Sequence, residues 1–208
     1  MNVVNRAKYE THLLQNLLEF EEFRTLMRKE GVKRYLEIGS KNGGSLWRMA
    51  QKLDKGSRLV SVDLPHGDTS FKVTLPNLQQ CVDRLNREGY DAHLIVGDST
   101  DPEVVEKVRA LGPFDVVFID GNHTLPFITK DWENYGPMAR MVAFHDIGYY
   151  RDVTDSKKLP IDAPAFWKEL KVKVEAEGKR TREFRYEKER RNGTNRECDN
   201  GIGLLWQS

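Results

Sequence analysis

The sequence has little cysteine and no long apolar run, and each scarcity argues against a class of protein. Its two cysteines, Cys81 and Cys198, lie far apart without metal-site spacing, which favours a reducing compartment over a disulfide scaffold. We expect Cys81 in the core and Cys198 in a loop. No apolar stretch approaches the roughly 20 residues of a membrane span, and no signal peptide is visible. The sequence therefore predicts a cytoplasmic protein without a membrane anchor.

A net charge of one sign is also missing, because 33 basic residues nearly cancel 32 acidic ones. Global charge thus gives no reason to expect a nucleic-acid or membrane partner. A local basic excess lies at residues 168–196, where a solvated edge hairpin is the simpler interpretation and a contact with an anionic substrate or nucleic acid is the alternative. No repeat or low-complexity tract appears. The 208 residues suffice for one core and fall short of two independent domains.

Short apolar runs alternate with helix-sized segments along most of the chain, which predicts a doubly wound α/β domain with a parallel sheet. Helical spacing of leucines and phenylalanines over residues 7–29 predicts one or two amphipathic helices before the first strand. The last two strands, TREFRYE and GIGLLWQ, are expected to form an antiparallel hairpin at one edge, which completes seven strands. We therefore divide the chain into an N-terminal helical segment, residues 1–30, and a ligand-binding α/β domain, residues 31–208. The five parallel strands are expected in RYLEIGS, RLVSVDLP, HLIVGDS, FDVVFIDGN and MVAFHDI.

A glycine cluster follows the first strand, where ligands bind in open parallel sheets. Gly39, Gly43 and Gly44 would let the backbone approach a ligand, and the next helix would start near Ser45 with its amides in the crevice. The dinucleotide fingerprint G-x-G-x-x-G is not met, because Lys41 stands where its second glycine belongs. No G-K-[ST] phosphate loop is present either. A ligand is expected at this turn, and its identity must come from other residues.

Glu37 stands inside the first apolar strand, and a buried carboxylate needs a cationic or hydrogen-bonding partner. The pattern E-x-G-x-x-x-G-x-S resembles motif I of the class I S-adenosylmethionine-dependent methyltransferases, and the resemblance extends over most of residues 33–147. It implies that the acid on the first strand and the loop after it hold the methionine part of the cofactor. The residues implied in this contact are Glu37, Gly39, Ser40, Lys41, Gly43 and Ser45.

Further acids end the next strands at positions that suit the same cofactor. Asp63, at the end of the second strand, can accept both ribose hydroxyls, although a dehydrogenase would use it in the same way. Asp98 and Ser99, after the third strand, lie where the family commonly contacts the adenine amino group. Asp120, after the fourth strand, is also included among the predicted cofactor contacts. Each strand-end Asp taken alone could instead be a helix cap or a turn former.

A second constellation joins the fourth strand, FIDGNH, to the fifth, MVAFHDI. Parallel neighbours lie about 4.8 Å apart, so Asp120, His123, His145 and Asp146 should open on one crevice. The pattern is similar to the metal-dependent O-methyltransferases, in the branch with D-G-x-H and H-D motifs. That similarity implies a divalent cation, Mg²⁺ or Mn²⁺, held by Asp120, His145 and Asp146. In this sequence His145 replaces the first acid of the usual pair.

The resemblance implies methyl transfer to a hydroxyl of a small molecule or glycan. Such a hydroxyl needs a base, and His123 is preferred to His145, with Asp120 as the third catalytic residue. Three alternatives remain: a cofactor-binding or assembly protein without catalysis, an NAD-dependent oxidoreductase, and a nucleic-acid methyltransferase. A homo-oligomer is compatible with the sequence. Tyr149, Tyr150 and Arg151 follow the H-D pair and could line the acceptor pocket, which residues 66–76 and 148–164 could cover.

Overall fold

The structure is a computed structural model that describes residues 17–64, 75–148, 161–186 and 200–207. Its helices are α1 (Leu17–Lys29), α2 (Gly44–Ala50), α3 (Leu75–Arg87), α4 (Pro102–Leu111), α5 (Leu125–Tyr135) and α6 (Ala163–Ala176). Its strands are β1 (Arg34–Ile38), β2 (Arg58–Asp63), β3 (Asp91–Val96), β4 (Phe114–Ile119), β5 (Ala139–His145), β6 (Thr181–Phe184) and β7 (Ile202–Trp206).

The strands form one seven-stranded sheet in the order β3-β2-β1-β4-β5-β7-β6. Strands β1 to β5 are mutually parallel, while β7 runs antiparallel to both β5 and β6. The predicted fold class, including the antiparallel edge, is confirmed. The strand order reverses between β1 and β4, so a crevice is expected where the carboxyl ends of these two strands meet.

Each face of the sheet carries its own hydrophobic core, because side chains alternate along a strand. Tyr35 of β1 packs with residues of α1, α2 and α3 on one face. Leu36 and Ile38 pack with residues of α4, α5 and α6 on the other. Cys81, which is fully buried in the first core, confirms its predicted place. The β1 strand is therefore enclosed on both sides, and its polar residue Glu37 lies inside the protein.

Local sequence signals set several of the element boundaries. The Asp101 carboxylate accepts a hydrogen bond from the Glu103 amide and caps α4, with Pro102 in its first turn. Gly178, with φ of 82°, follows α6. The segment 128–139 is expected to be helical throughout, yet α5 ends at Tyr135. A 3₁₀ turn, Gly136–Met138, replaces its last residues because Pro137 has no amide to continue the helix.

Some sequence expectations concern segments that the structure does not describe. These are residues 1–16, 65–74, 149–160, 187–199 and 208. They include Tyr149, Tyr150, Arg151 and Cys198, together with most of the two segments expected to cover the crevice. The division into a helical segment and an α/β domain stays a prediction. Among the described helices, none combines the length and the apolar character that crossing a bilayer requires.

Candidate active site

The glycines after β1 make close contacts within the protein itself. Gly39 has φ of 88°, and a Cβ atom there would lie 2.3 Å from the Asp120 carbonyl oxygen. Gly43 has φ of 82°, and a Cβ atom there would lie 2.8 Å from the Cys81 sulfur. The sequence analysis attributes these glycines to a close approach of ligand. The structure adds a second reason, since Gly39 lets the loop after β1 pack on the loop after β4.

Asp63 anchors this glycine loop. Its Oδ2 atom accepts hydrogen bonds from the amides of Ser40, at 2.9 Å, and Lys41, at 2.6 Å. Its Oδ1 atom accepts one from the Leu64 amide at 2.8 Å. Burial raises the pKa of Asp63, and these backbone donors oppose the rise. Lys41 is held at φ of 49°, a left-handed conformation that favours glycine, so the anchor compensates for the missing second glycine of the dinucleotide pattern.

Glu37 is fully buried and finds its partners in neutral hydroxyl groups of the chain. Tyr35 donates a hydrogen bond to Oε2 at 2.7 Å, and the Ser45 hydroxyl donates to Oε1. Burial raises the pKa of Glu37 to about 7, and both hydroxyls oppose the rise. The sequence analysis does not single out Tyr35, although residues two apart on a strand share a face. Glu37 remains without a cationic partner among these contacts, which suits a positively charged group of a ligand.

The predicted adenine contacts lie at the end of β3, on the loop that leads to α4. Asp98 is exposed, and its Oδ1 atom accepts hydrogen bonds from the amide and the hydroxyl of Thr100, both at 2.8 Å. This is the turn-forming role that the sequence analysis leaves open for a strand-end Asp. The Ser99 carbonyl accepts a hydrogen bond from the Tyr135 hydroxyl at 2.6 Å. Helix α5 therefore supports this loop from below.

Asp120, His123, His145 and Asp146 lie together at the ends of β4 and β5, as the sequence predicts. The Nδ1 atom of His145 lies 2.9 Å from Asp120 Oδ1 and 3.2 Å from Asp146 Oδ1. The Nε2 atom of His123 lies 3.2 Å from Asp146 Oδ2 and 3.7 Å from Asp120 Oδ1. Asp146 has φ of 59°, a backbone conformation that is rare outside glycine and clusters at functional sites.

The two histidines differ in exposure and in charge. Burial alone would lower the pKa of His145, but the charges of Asp120 and Asp146 raise it to about 9. Burial likewise raises the pKa of Asp120, but His145 and His123 bring it below its usual value. At neutral pH, His145 is therefore an imidazolium paired with two carboxylates. The His123 side chain is 21% exposed against 4% for His145, so His123 is the imidazole that a ligand can reach.

The donor chemistry of the predicted cation site is suitable, but a metal-binding arrangement is not shown by the described residues. Two carboxylates and two imidazoles are suitable donors for Mn²⁺ or Zn²⁺. However, none of the described His, Cys, Asp and Glu side chains form a group of three with metal-site geometry. The His145 Nδ1 atom lies within 3.2 Å of a carboxylate oxygen of both Asp120 and Asp146. A divalent cation at Asp120, His145 and Asp146 therefore stays a prediction.

Two buried acids near this site are absent from the sequence-based set. Glu19 of α1 is fully buried and accepts hydrogen bonds from the amides of Tyr186, at 3.2 Å, and Gly201, at 3.1 Å. Its charge also helps to raise the pKa of His145. Asp131 of α5 is fully buried as well. The only signal in the sequence is an acid at a position where the helical period calls for an apolar residue.

Comparison of the chain with known families identifies one match that covers every predicted site residue. A family model described as a methyltransferase domain matches residues 36–147. This segment runs from the residue before Glu37 to the residue after Asp146. The match favours the methyltransferase interpretation over the oxidoreductase alternative. Among curated proteins, none matches the chain significantly in sequence.

Solved structures share the fold at low sequence identity. The O-methyltransferase from Bacillus cereus in complex with SAH is 15% identical with a TM-score of 0.68, covering 98% of this chain and 87% of that one. The O-methyltransferase TomG from Streptomyces achromogenes, involved in tomaymycin synthesis and solved with SAM, is 18% identical with a TM-score of 0.65, covering 97% and 85%. The SAH-bound methyltransferase PaMTH1 from Podospora anserina is 14% identical with a TM-score of 0.62, covering 99% and 87%.

Proposed function

The chain belongs to the methyltransferase domain family, and from this premise we propose that it transfers a methyl group from S-adenosylmethionine to a hydroxyl of a small molecule or glycan. The observation that carries the proposal is the arrangement inside the matched segment, residues 36–147. There, a buried acid and an anchored glycine loop at β1 adjoin a His and Asp cluster at β4 and β5. A cofactor site thus lies beside a group able to accept a proton.

The residues present fit S-adenosylmethionine. Glu37 is a buried carboxyl with a pKa of about 7, and a cationic ligand group beside it would stabilise the charged form. Ser40, Lys41, Gly43 and Ser45 form the loop around this position, with Gly39 at its start. Asp63 would accept hydrogen bonds from the ribose, and Asp98 with Ser99 would border the adenine. When bound, the cofactor supplies a methyl group on a positively charged sulfur.

His123 is the residue that we assign as general base. Its Nε2 atom lies 3.2 Å from Asp146, which orients the ring and stabilises the imidazolium that forms when it takes the hydroxyl proton. His145 is already protonated at neutral pH and fully buried, so its role is to hold Asp120 and Asp146 in place. Asp120 in turn contacts both histidines. These side chains would position the acceptor hydroxyl and accept its proton.

Cofactor binding tests the proposal first. The whole chain is titrated with S-adenosylhomocysteine by calorimetry, with NAD as the parallel control. We expect the chain to bind S-adenosylhomocysteine and not NAD. The variant Asp63→Ala should bind S-adenosylhomocysteine at least about a hundredfold more weakly, since it removes the proposed ribose acceptor and the acceptor of three backbone hydrogen bonds. The exposed Asp83→Ala variant is the matched control and should bind normally. Unchanged affinity in Asp63→Ala would remove the ribose assignment, and no binding by the natural chain would contradict the proposal.

A methyl-transfer assay with and without EDTA tests the metal. S-Adenosylhomocysteine formation is followed over a panel of catechol, sugar and polyketide hydroxyl acceptors. If protonated His145 supplies the positive charge at this site, the rate should be unchanged after EDTA. We also expect a rate loss of at least about a hundredfold in His123→Ala, within the usual range for a general base. A rate that falls with EDTA and returns with Mn²⁺ or Mg²⁺ would instead support the predicted cation site.

A further inference from the structure

Helix α5, which begins two residues after His123, takes its N-terminal cap from a distant part of the chain. Within the described residues, its own N-cap residue Thr124 makes no side-chain cap hydrogen bond. The Asp162 carboxylate takes this place, since its Oδ2 atom accepts a hydrogen bond from the Leu125 amide at 2.7 Å. Asp162 is itself the N-cap residue of α6, yet its side chain makes no cap bond to that helix among the residues described. The carboxylate of Asp162 therefore caps α5 and not the helix that it precedes.

The same residue also holds the backbone of His123. The Asp162 amide donates a hydrogen bond to the His123 carbonyl at 2.8 Å. Asn122 braces the other side of the loop, because its Oδ1 atom accepts a hydrogen bond from the Thr124 amide at 3.0 Å. Together with the cap on α5, these hydrogen bonds fix the short loop between β4 and α5 at the position of His123.

The ring of His123 is held from a second direction. Its Nε2 atom lies 3.2 Å from Asp146 Oδ2. Asp146 follows β5 and Asp162 precedes α6, so these two residues mark the ends of the connection between the two elements. One end contacts the side chain of His123 and the other contacts its backbone. A general base must keep its nitrogen directed at the reacting hydroxyl, and a displacement of about 1 Å can cost on the order of a hundredfold in rate.

We propose that Asp162 is a positioning residue for the reaction, which fixes the backbone of His123 so that the imidazole stays between Asp146 and the crevice. This assignment rests on the proposed function, because it takes His123 as the general base. It deepens that function by extending the site to the start of α6, outside the family-matched residues 36–147.

Chemical modification tests the assignment without an acceptor. The whole chain is treated with diethyl pyrocarbonate, and mass spectrometry follows the modification of His123 relative to His93, a reference on β3 whose side chain is 36% exposed. In Asp162→Ala the His123 ring should leave Asp146 more often, so its relative rate should rise about threefold or more, as expected for the loss of one hydrogen bond. Asp162→Asn keeps an oxygen for the Leu125 amide and should restore the natural ratio.

Asp101→Ala is the matched control, because the Asp101 carboxylate caps α4 in the same way, through the Glu103 amide at 2.8 Å. This variant should lower the melting temperature about as much as Asp162→Ala does, since each removes one N-cap. It should leave the His123 ratio unchanged. An unchanged ratio in Asp162→Ala, or an equal rise in the control, would overturn the assignment.

Hydrogen exchange in the natural chain decides the matter if Asp162→Ala does not fold. The Leu125 amide should exchange at least about tenfold more slowly than in the unfolded chain, because Asp162 accepts its hydrogen bond. An unprotected Leu125 amide would show that the cap on α5 is not formed, and the assignment would fall.

Kinetics separates positioning from stability. With an acceptor from the hydroxyl panel, Asp162→Ala should lower kcat about tenfold or more while KM for S-adenosylmethionine stays within about twofold, because the loop after β1 is untouched. Asp162→Asn should recover most of kcat, and Asp101→Ala should keep all of it. An unchanged kcat in Asp162→Ala would overturn the assignment. Failure of the natural chain to bind S-adenosylhomocysteine would overturn the proposed function, whatever the His123 ratio shows.

Discussion

Glu37 carries a stability cost that its proposed ligand role would explain. Its carboxyl lies in the fully buried part of β1. Because its pKa is raised to about 7, the folded protein keeps the Glu37 proton between pH 4.5 and 7. The unfolded chain releases that proton near pH 4.5. The raised pKa therefore destabilises the fold progressively as the pH rises through this window, by an amount on the order of 3 kcal/mol above pH 7. The proposed binding of a cationic group at this site would account for retaining such a residue.

The substitution Glu37→Gln should abolish this pH dependence. We expect the unfolding free energy of the variant, relative to the natural chain, to increase by about 2–3 kcal/mol between pH 5 and pH 8. Urea denaturation at both pH values measures it, and taking the difference removes the titration of residues common to both proteins. The exposed Glu133→Gln variant should show no such change. An equal difference at both pH values would show that Glu37 is ionised throughout.

At the scale of an element, the loop between β1 and α2 takes its shape from contacts with other parts of the chain. Its conformation depends on Asp63 at the end of β2, on Asp120 after β4 and on Cys81 in α3. Three other elements therefore set the shape of one short turn. The glycine pattern predicts a tight turn at this place, while the neighbours explain why Gly39 and Gly43 in particular must lack a side chain.

Comparing two glycines separates backbone strain from steric contact. Gly39 and Gly56 have similar φ angles, 88° and 83°, but only Gly39 has atoms in the way of a Cβ atom. We expect Gly56→Ala to cost about 1 kcal/mol for the left-handed conformation alone. Gly39→Ala should cost at least about 2 kcal/mol more, because the Asp120 backbone must move. Urea denaturation measures the unfolding free energy of both variants. Equal losses would mean that the loops after β1 and β4 separate without strain.

At the scale of the whole molecule, Glu19 joins the two flanks of the family-matched segment. The carboxyl of this α1 residue binds the amides of Tyr186 and Gly201, which lie at the two ends of the connection between β6 and β7. Asp115 has a comparable role at the opposite end of the sheet. It accepts hydrogen bonds from the amides of Lys33 and Arg34, both at 2.9 Å. Contacts of this kind tie the N-terminal helix and the hairpin to the sheet.

Removing the Glu19 carboxyl should weaken the whole fold. We expect Glu19→Ala to lower the unfolding free energy by about 2–4 kcal/mol, since two backbone amides lose their partner, one of them buried. Glu22→Ala is the comparison on the same helix, because Glu22 is 47% exposed, pairs with Arg182 at 3.7 Å and accepts a hydrogen bond from the Tyr186 hydroxyl. Exposed pairs contribute about 1 kcal/mol or less. A Glu19→Ala protein as stable as the control would show that the buried Glu19 hydrogen bonds contribute no more to stability than exposed contacts do.

The fold class and the grouping of the candidate site residues can be predicted from the sequence because both depend on local periodicity. Apolar runs such as FDVVFI are buried on both faces, and the segments between them repeat at helical spacing. Parallel strands bring their carboxyl ends to one edge, so Asp63, Asp120 and Asp146 could be grouped before any distance was known. The predicted end of α5 at residue 139 was wrong by a few residues, because Pro137 has no amide to continue the helix beyond Tyr135.

Only the tertiary structure decided how these residues are charged and what they contact. The proton on His145 follows from two carboxylates within about 3 Å, one of them 25 residues away in sequence. The Glu37 carboxylate contacts the Ser45 hydroxyl across the turn after β1, and Gly39 lies against the Asp120 backbone at the end of the neighbouring strand β4. Glu19 and Asp131 stand out only once the structure shows that both are buried. Burial and charge pairing depend on distances between remote parts of the chain, whereas periodicity is written in neighbouring residues, and this is why the sequence determined the scaffold and the fold determined the chemistry.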